Sequence, residues 1–238
     1  TALFRRPEPY LALIRTLGRR KAGMTRAELI EASGLTGNGK LSRMLRELEQ
    51  CDFIRSYSSP AKGRGNVIYQ LMDNFTLFYF KFLDGVRNPA PDFWTTSANS
   101  PGVRAWCGLA FERVCLQHVE QIKKALGISG VRASVYTWRS AAAGGMHGER
   151  GRQAAQIDLV IDRADGVVNL CEIKYARNPY EIDAEEAARL ENRKDAFVRE
   201  TGTRKTCMTT LVASFGIKPN KYRWTAEAVV TLDDLFEG

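Results

Sequence analysis

Asp158, Glu172 and Lys174 are the side chains whose types and spacing best suit chemistry. They sit in two apolar runs, Gln156-Ile157-Asp158-Leu159-Val160-Ile161-Asp162 and Val167-Val168-Asn169-Leu170-Cys171-Glu172-Ile173-Lys174, joined by Arg163-Ala164-Asp165-Gly166. The pattern reads as a hairpin with its charged residues far from the turn. Ala164-Asp165-Gly166 suits a three-residue loop, because the third position needs the left-handed backbone that glycine permits. Counting outward from Asp165 sets Asp158 opposite Glu172. Side chains alternate along a strand, so Asp158, Glu172 and Lys174 are expected on one face, with Ile157, Leu159 and Ile161 turned to the core. A two-residue Asp165-Gly166 loop would instead shift the register and split Asp158 from Glu172.

Two opposed carboxylates repel unless something positive sits between them. Magnesium accepts one or two carboxylates and keeps its waters and a substrate phosphate. Lys174, two residues beyond Glu172, would sit at the edge of such a site. Metal and lysine together supply the nucleophile and the charge stabilisation that phosphodiester hydrolysis needs. Mg2+ (or Mn2+) is therefore the expected cofactor, with Asp158 and Glu172 as its ligands. The same residues could equally form a salt-bridge network without metal, and their spacing does not separate the two.

The elements that must position this hairpin follow from hydrophobic spacing. A long helix is expected over 102–126, with Leu109, Phe111, Val114, Cys115 and Val119 inward and Glu112 among them. A strand over 133–138 precedes the hairpin, and 140–151 is rich in glycine and small residues. A charged helix over 183–201 holds Arg189, Asn192, Arg193 and Lys194; strands over 205–213 and 226–232 close the chain. The order is that of an α/β sandwich with a central mixed sheet. Arg189, Arg193 and Lys194 are candidates for meeting a phosphate backbone, against the plainer expectation of a solvated helix face.

The first seventy-odd residues read differently. Tyr10 to Arg20 has helical spacing. Thr25 and Glu28 make a capping box for a second helix ending near Ser33-Gly34. After Gly37-Asn38-Gly39 comes a third helix, apolar at Leu41, Met44, Leu45 and Leu48. Strands over 54–57 and 67–71 enclose the basic loop Ser58-Ser59-Pro60-Ala61-Lys62-Gly63-Arg64-Gly65. Three helices and a two-stranded ribbon with a basic tip look like a winged helix-turn-helix. Lys40, Arg43 and Arg46 would then face a DNA groove, and Lys62 and Arg64 on the wing would touch phosphates. Glu47 and Glu49 dilute that basic face, and such modules also serve as protein–protein joints. Gly34 to Leu41 nearly matches a phosphate-binding loop, but Leu41 stands where a magnesium-binding hydroxyl is required and a helix precedes it, so no ATP site is expected. The aromatic stretch Asp73 to Gly85 is expected as a helical linker packed as core, ahead of a break at Asn88-Pro89-Ala90-Pro91.

Composition sets the bounds. A chain of 238 residues suffices for one large domain or two modest ones. A formal charge of +8 favours a polyanionic partner. No apolar span of roughly 18 residues or signal peptide is seen, so a cytoplasmic protein without membrane association is expected. The five cysteines are scattered without a CxxC pair, which points to buried free thiols rather than zinc. His147 is expected to be exposed rather than catalytic.

Asp158, Glu172-Ile173-Lys174 and a preceding helix carrying Glu112 resemble the PD-(D/E)xK nuclease superfamily. The wider pattern adds Tyr69-Gln70-Leu71-Met72-Asp73-Asn74-Phe75, Phe78-Tyr79-Phe80-Lys81-Phe82, Gly108-Leu109-Ala110-Phe111-Glu112 and Gln156-Ile157-Asp158-Leu159-Val160. With the winged helix it resembles the C-terminal part of archaeal-type AAA+ ATPases carrying the domain called DUF234, over nearly the whole chain. The resemblance implies Asp158, Glu172 and Glu112 as metal ligands, Lys174 near the scissile phosphate, and a restriction-endonuclease-like sandwich. It implies a DNA substrate and an ATPase module or partner chain that this sequence lacks, so that the chain, which starts at Thr1, is a C-terminal fragment or a relative without that module. Ile157 replaces the motif's proline, and Gln156 stands where relatives often carry an acid, which weakens a second metal site. The implied organisation is a winged helix over 1–74, a linker over 75–101 and a nuclease-like domain over 102–238.

Overall fold

A computed structural model describes residues 4–20, 23–58, 67–88, 90–140 and 155–237. The protein is mixed α/β and forms two compact units, Thr1–Trp106 and Cys107–Gly238. Lys62, Arg64 and His147 lie outside the described residues.

The first unit contains α1 (Glu8–Gly18), β1 (Met24–Thr25), α2 (Arg26–Ser33), α3 (Gly39–Gln50), β2 (Ile54–Ser58) and β3 (Val67–Leu71). Local chemistry sets the helix ends. The Thr25–Glu28 capping box starts α2, and Gly34 ends it in the left-handed conformation at φ 68°. Asn38 caps α3 by accepting from the Lys40 and Leu41 amides. The near phosphate-loop pattern thus consists of a helix end, a turn and a helix start. The ribbon gains a third strand, because Met24 and Thr25 pair with Tyr69 and Ile68 to give the antiparallel order β1-β3-β2. A two-residue strand fused to a capping box has no alternation to reveal it. Leu41, Met44, Leu45 and Leu48 of α3 meet Leu13, Leu17, Leu29 and Leu71 in one buried cluster.

The segment expected as a linker packs within this first unit. Asp73 caps α4 (Asn74–Phe78), which runs on as a π-helical turn over Tyr79–Leu83. Phe78 makes edge contacts with Trp94 of α5 (Phe93–Ser97) and with Trp106, at 6.0 and 5.4 Å between ring centres. α5 lies within the stretch expected as a linker; Thr95 and Thr96 return their hydroxyls to the Asp92 carbonyl. One edge of the aromatic stretch is not core, since Phe75 is 69% exposed.

In the second unit the expected long helix is broken. α6 (Pro101–Gln117) and α7 (Val119–Ala125) meet at His118, whose backbone leaves the helical region at φ −111°, ψ 34°. Its ring nitrogen Nδ1 lies 2.8 Å from the Val114 carbonyl. β4 (Ala133–Arg139), β5 (Gln156–Arg163), β6 (Val167–Lys174), β7 (Thr206–Ala213) and β8 (Ala228–Thr231) form a sheet in that order. The β4–β5 and β5–β6 pairs are antiparallel; β6–β7 and β7–β8 are parallel. A parallel pair needs a long crossover, which α8 (Ala184–Thr201) provides between β6 and β7. Among the described residues no helix is long and apolar enough to cross a membrane.

The β5–β6 register pairs Leu159 with Cys171 and Asp162 with Val168, as the three-residue loop requires, and Gly166 has φ 87°. Space is not the reason for glycine here, because a Cβ at Gly166 would meet nothing within 4 Å. Gly166→Ala should therefore cost about 1–2 kcal/mol through backbone conformation alone. A thermal unfolding midpoint unchanged from the wild type would count against this account.

Candidate functional site

Strict alternation fails at the residue that matters most. β4 pairs Tyr136 with Val160 but Trp138 with Ile157, so two residues of β5, Asp158 and Leu159, oppose the single Thr137. This is a β-bulge. It lets Ile157 and Val160, three residues apart, share one buried cluster with Leu170 and with Ala196 and Phe197 of α8. Glu172 and Lys174 follow Leu170 by two and four residues, so they too lie on the α8 side. Asp158 is one of the two bulged residues, and its carboxylate turns to the β6 backbone. The expectation of Ile157 turned away from the face of Glu172 and Lys174 is corrected by this bulge. Hairpin counting could not see it, because the inserted residue is defined against β4 and not against β6.

Asp158 is 8% exposed, and its carboxylate accepts the Ile173 amide at 3.1 Å. Its neighbours include two buried thiols. Burial pushes the Cys171 thiol up to about 12, and the Asp158 charge adds to this. Burial likewise raises Cys115, with further contributions from the charges of Cys171, Asp158 and Glu112. Glu112, at 4% exposure, is also among the charges that act on Cys115. Beside it Arg113 is 1% exposed and donates from Nη1 to the Leu109 carbonyl at 2.8 Å. Burial lowers its pKa, against the opposing effect of Glu112. These thiols are inert packing groups. Cys207 is buried too, but Cys51 is exposed, contrary to the expectation of buried thiols.

Glu172 belongs to a separate network. Its Oε1 lies 2.9 Å from Lys174 Nζ, and its Oε2 lies 2.7 Å from Arg193 Nη1. Lys174 Nζ also lies 2.9 Å from Glu186 Oε1, whose other oxygen lies 2.7 Å from Arg189 Nη2. Burial opposes the Lys174 charge, but Glu172 and Glu186 outweigh it and hold the ammonium above its ordinary range. Burial also disfavours the Glu186 carboxylate, but the Lys174 hydrogen bond and the Lys174, Arg189 and Arg193 charges hold it below its ordinary value. Arg189 and Arg193, candidates for phosphate contact against the plainer expectation of a solvated face, pair with carboxylates here. Lys194 pairs with Glu227 at 2.8 Å.

Glu186 did not stand out in the sequence. It sits in the first turn of α8, where Asp183 caps its amide, and a capping signature is the plain reading of an acid there. Its pairing with Lys174 appears only when α8 is folded back over β6.

Among the described residues no three His, Cys, Asp or Glu side chains gather as a group that could hold an ion. Both oxygens of Glu172 are already neutralised by cations, and the Asp158 carboxylate is turned to the Ile173 amide. Of the expected ligands Asp158, Glu172 and Glu112, the first two thus have partners within the protein.

In the first unit, Lys40, Arg43 and Arg46 are all exposed on α3. Arg43 Nε lies 2.8 Å from Glu47 Oε1. Glu47 also accepts from the Tyr10 hydroxyl, and Glu49 accepts the Ser56 amide and hydroxyl at 2.7 and 2.6 Å. Both acids that dilute the basic face are therefore tied to their own unit. No protein-family model matches this chain, and no curated protein matches it either.

The charge network sets a pH response. A carboxylate held below its unfolded value contributes stability above the ordinary glutamate range, and loses it as pH falls through the depressed value. A raised lysine contributes below its ordinary value and loses that only as pH rises past it. The network is therefore at full strength around neutrality and fails first in acid through Glu186. Glu186→Gln should lower stability at pH 7 by on the order of 2–4 kcal/mol, less than for a fully buried pair because Lys174 and Arg189 are partly solvated. Its melting temperature should also fall less than that of the wild type between pH 7 and pH 4. Parallel curves for the two proteins would contradict the assignment.

Proposed function

We propose that this chain is a DNA-binding protein whose first unit is a winged helix-turn-helix. In this reading the second unit keeps the PD-(D/E)xK order of elements as a scaffold. The observation that carries the binding proposal is the two-sided character of α3, where Leu41, Met44, Leu45 and Leu48 are buried and Lys40, Arg43 and Arg46 are exposed. A helix presented in this way, beside a small antiparallel sheet, matches the means by which such modules enter a DNA groove. The overall charge of +8 acts in the same direction by steering the chain toward polyanions.

The scaffold proposal rests on the saturation of Glu172 by Lys174 and Arg193. A phosphodiester needs free positive charge or a bound metal at its reacting phosphorus, and this lysine already has two carboxylate partners. By its resemblance to the C-terminal part of AAA+ ATPases, the chain would act as a regulatory or targeting module for an ATPase module or partner chain. A nuclease reading is favoured by one observation: Glu112, Asp158, Glu172 and Lys174 are all buried or half-buried around β5 and β6. It requires Glu172 to exchange its cations for a metal.

Incubation with plasmid and with single-stranded DNA in Mg2+ or Mn2+ separates these. The expected result is no cleavage beyond that of Asp158→Ala and Glu172→Ala. Cleavage by the wild type that both substitutions abolish would overturn the scaffold reading. For binding, duplex affinity should fall with salt, and Lys40→Ala and Arg46→Ala should each reduce the logarithmic salt slope by about one. A flat salt response would refute a phosphate-dominated interface.

A further inference from the structure

Two hollows on the first unit share a wall. One, of about 700 Å³, is lined by Arg5, Arg6, Lys40 and Arg43, with Glu47 as its acid. The other, of about 210 Å³, is apolar and lined by Phe53, Phe75, Tyr79 and Phe80 among others. Phe4 and Tyr10 line both. Their rings stack at 3.9 Å with 12° between planes, so the boundary between basic and aromatic surfaces is itself a flat aromatic pair. Glu47 is engaged by the Tyr10 hydroxyl and by Arg43, which leaves the basic hollow with an excess of positive charge.

The aromatic hollow does not owe its rings to core packing alone. Phe75 is 69% exposed and Tyr79 is 40% exposed. The neighbouring rings Phe78 and Phe82 pack inward, Phe78 on Phe82 at 5.1 Å and Phe82 on Phe93 at 5.3 Å. Exposing a phenylalanine face to water is unfavourable unless something covers it in use. Duplex DNA presents no base faces, since they are stacked inside the helix. A single strand presents both the faces and the phosphates. A basic track beside aromatic platforms is the arrangement that binds single strands without sequence preference.

We propose that this continuous surface binds single-stranded nucleic acid. Phosphates lie along Arg5, Arg6, Lys40 and Arg43, and bases stack on Tyr79 and Phe75 across the Phe4–Tyr10 pair. The inference rests on the nucleic-acid reading of α3 and deepens it, because Lys40 and Arg43 serve both surfaces while Arg46 is not among the residues lining either hollow. A winged helix that holds an opened strand as well as a duplex would act at junctions between the two.

The test uses the full chain and fluorescence anisotropy with three labelled probes: oligothymidylate, oligouridylate and a duplex. Phe75→Ala and Tyr79→Ala should each weaken oligothymidylate binding by about tenfold, the effect of losing one stacked base, and leave duplex binding unchanged. Phe75→Trp should retain the single-strand affinity, because it retains the ring. Both side chains are exposed enough for the alanine variants to fold, which circular dichroism checks. Comparable loss with oligouridylate identifies either single strand as a ligand; loss with oligothymidylate alone restricts it to DNA. Equal weakening of single-strand and duplex binding, or no weakening of either, overturns the inference. Displacement of oligothymidylate by polyglutamate at equal charge also overturns it, in favour of an acidic protein partner. Ring-dependent single-strand binding together with duplex binding insensitive to Arg46→Ala supports this inference and overturns the duplex reading. Absence of binding to all three probes overturns both.

Discussion

Removing a carboxylate from water demands a compensating charge, and the second unit is organised around that demand. Glu172 lies in a central strand and Glu186 lies under the first turn of α8. Lys174 joins them, and Arg193 and Arg189 close the remaining oxygens. The helix that supplies three of these five groups is also the crossover that makes β6 and β7 parallel. Charge pairing and topology therefore constrain each other. Apolar packing of Phe197 and Ala196 on Val168 and Leu170 supplies the attraction, and the ion pairs select the rotation of the helix over the sheet.

The bulge at Asp158 and Leu159 is the second constraint. It keeps an apolar face intact on both sides of the sheet while inserting one polar residue. Without it, Ile157 would leave the α8 cluster. With it, Asp158 is satisfied by a backbone amide and sits near Glu112 and two thiols that are neutral at physiological pH. Glu172 and Asp158 thus have different partners, cations for one and a backbone amide for the other, and the saturation of Glu172 underlies the proposal of a scaffold.

The first unit solves a different problem. Its α3 is strongly two-sided, and the core takes one side entirely. The aromatic stretch after β3 is divided in a similar way. Phe78 and Phe82 turn toward Phe93 and Trp106, while Phe75 and Tyr79 remain at the surface. A helix turn widened by π geometry runs through this stretch at Tyr79–Leu83, where a plain 3.6-residue spacing would place the rings differently.

The sequence by itself determined the features governed by near neighbours. The caps at Thr25, Asn38 and Asp183, the glycine-dependent loop at Gly166 and the register of β5 on β6 depend on residues a few positions apart. Amphipathic spacing likewise exposed the buried side of α3. Tertiary structure alone decided the rest, because the partners are distant in the chain. The bulge depends on β4 lying beside β5, and the Lys174–Glu186 pair depends on α8 folding back over β6. The third strand of the small sheet and the inclusion of 75–101 in the first unit are settled by long-range contacts of the same kind. A titratable side chain's type can be read from the chain, but the charges that meet it in a low-dielectric interior are brought there by the fold.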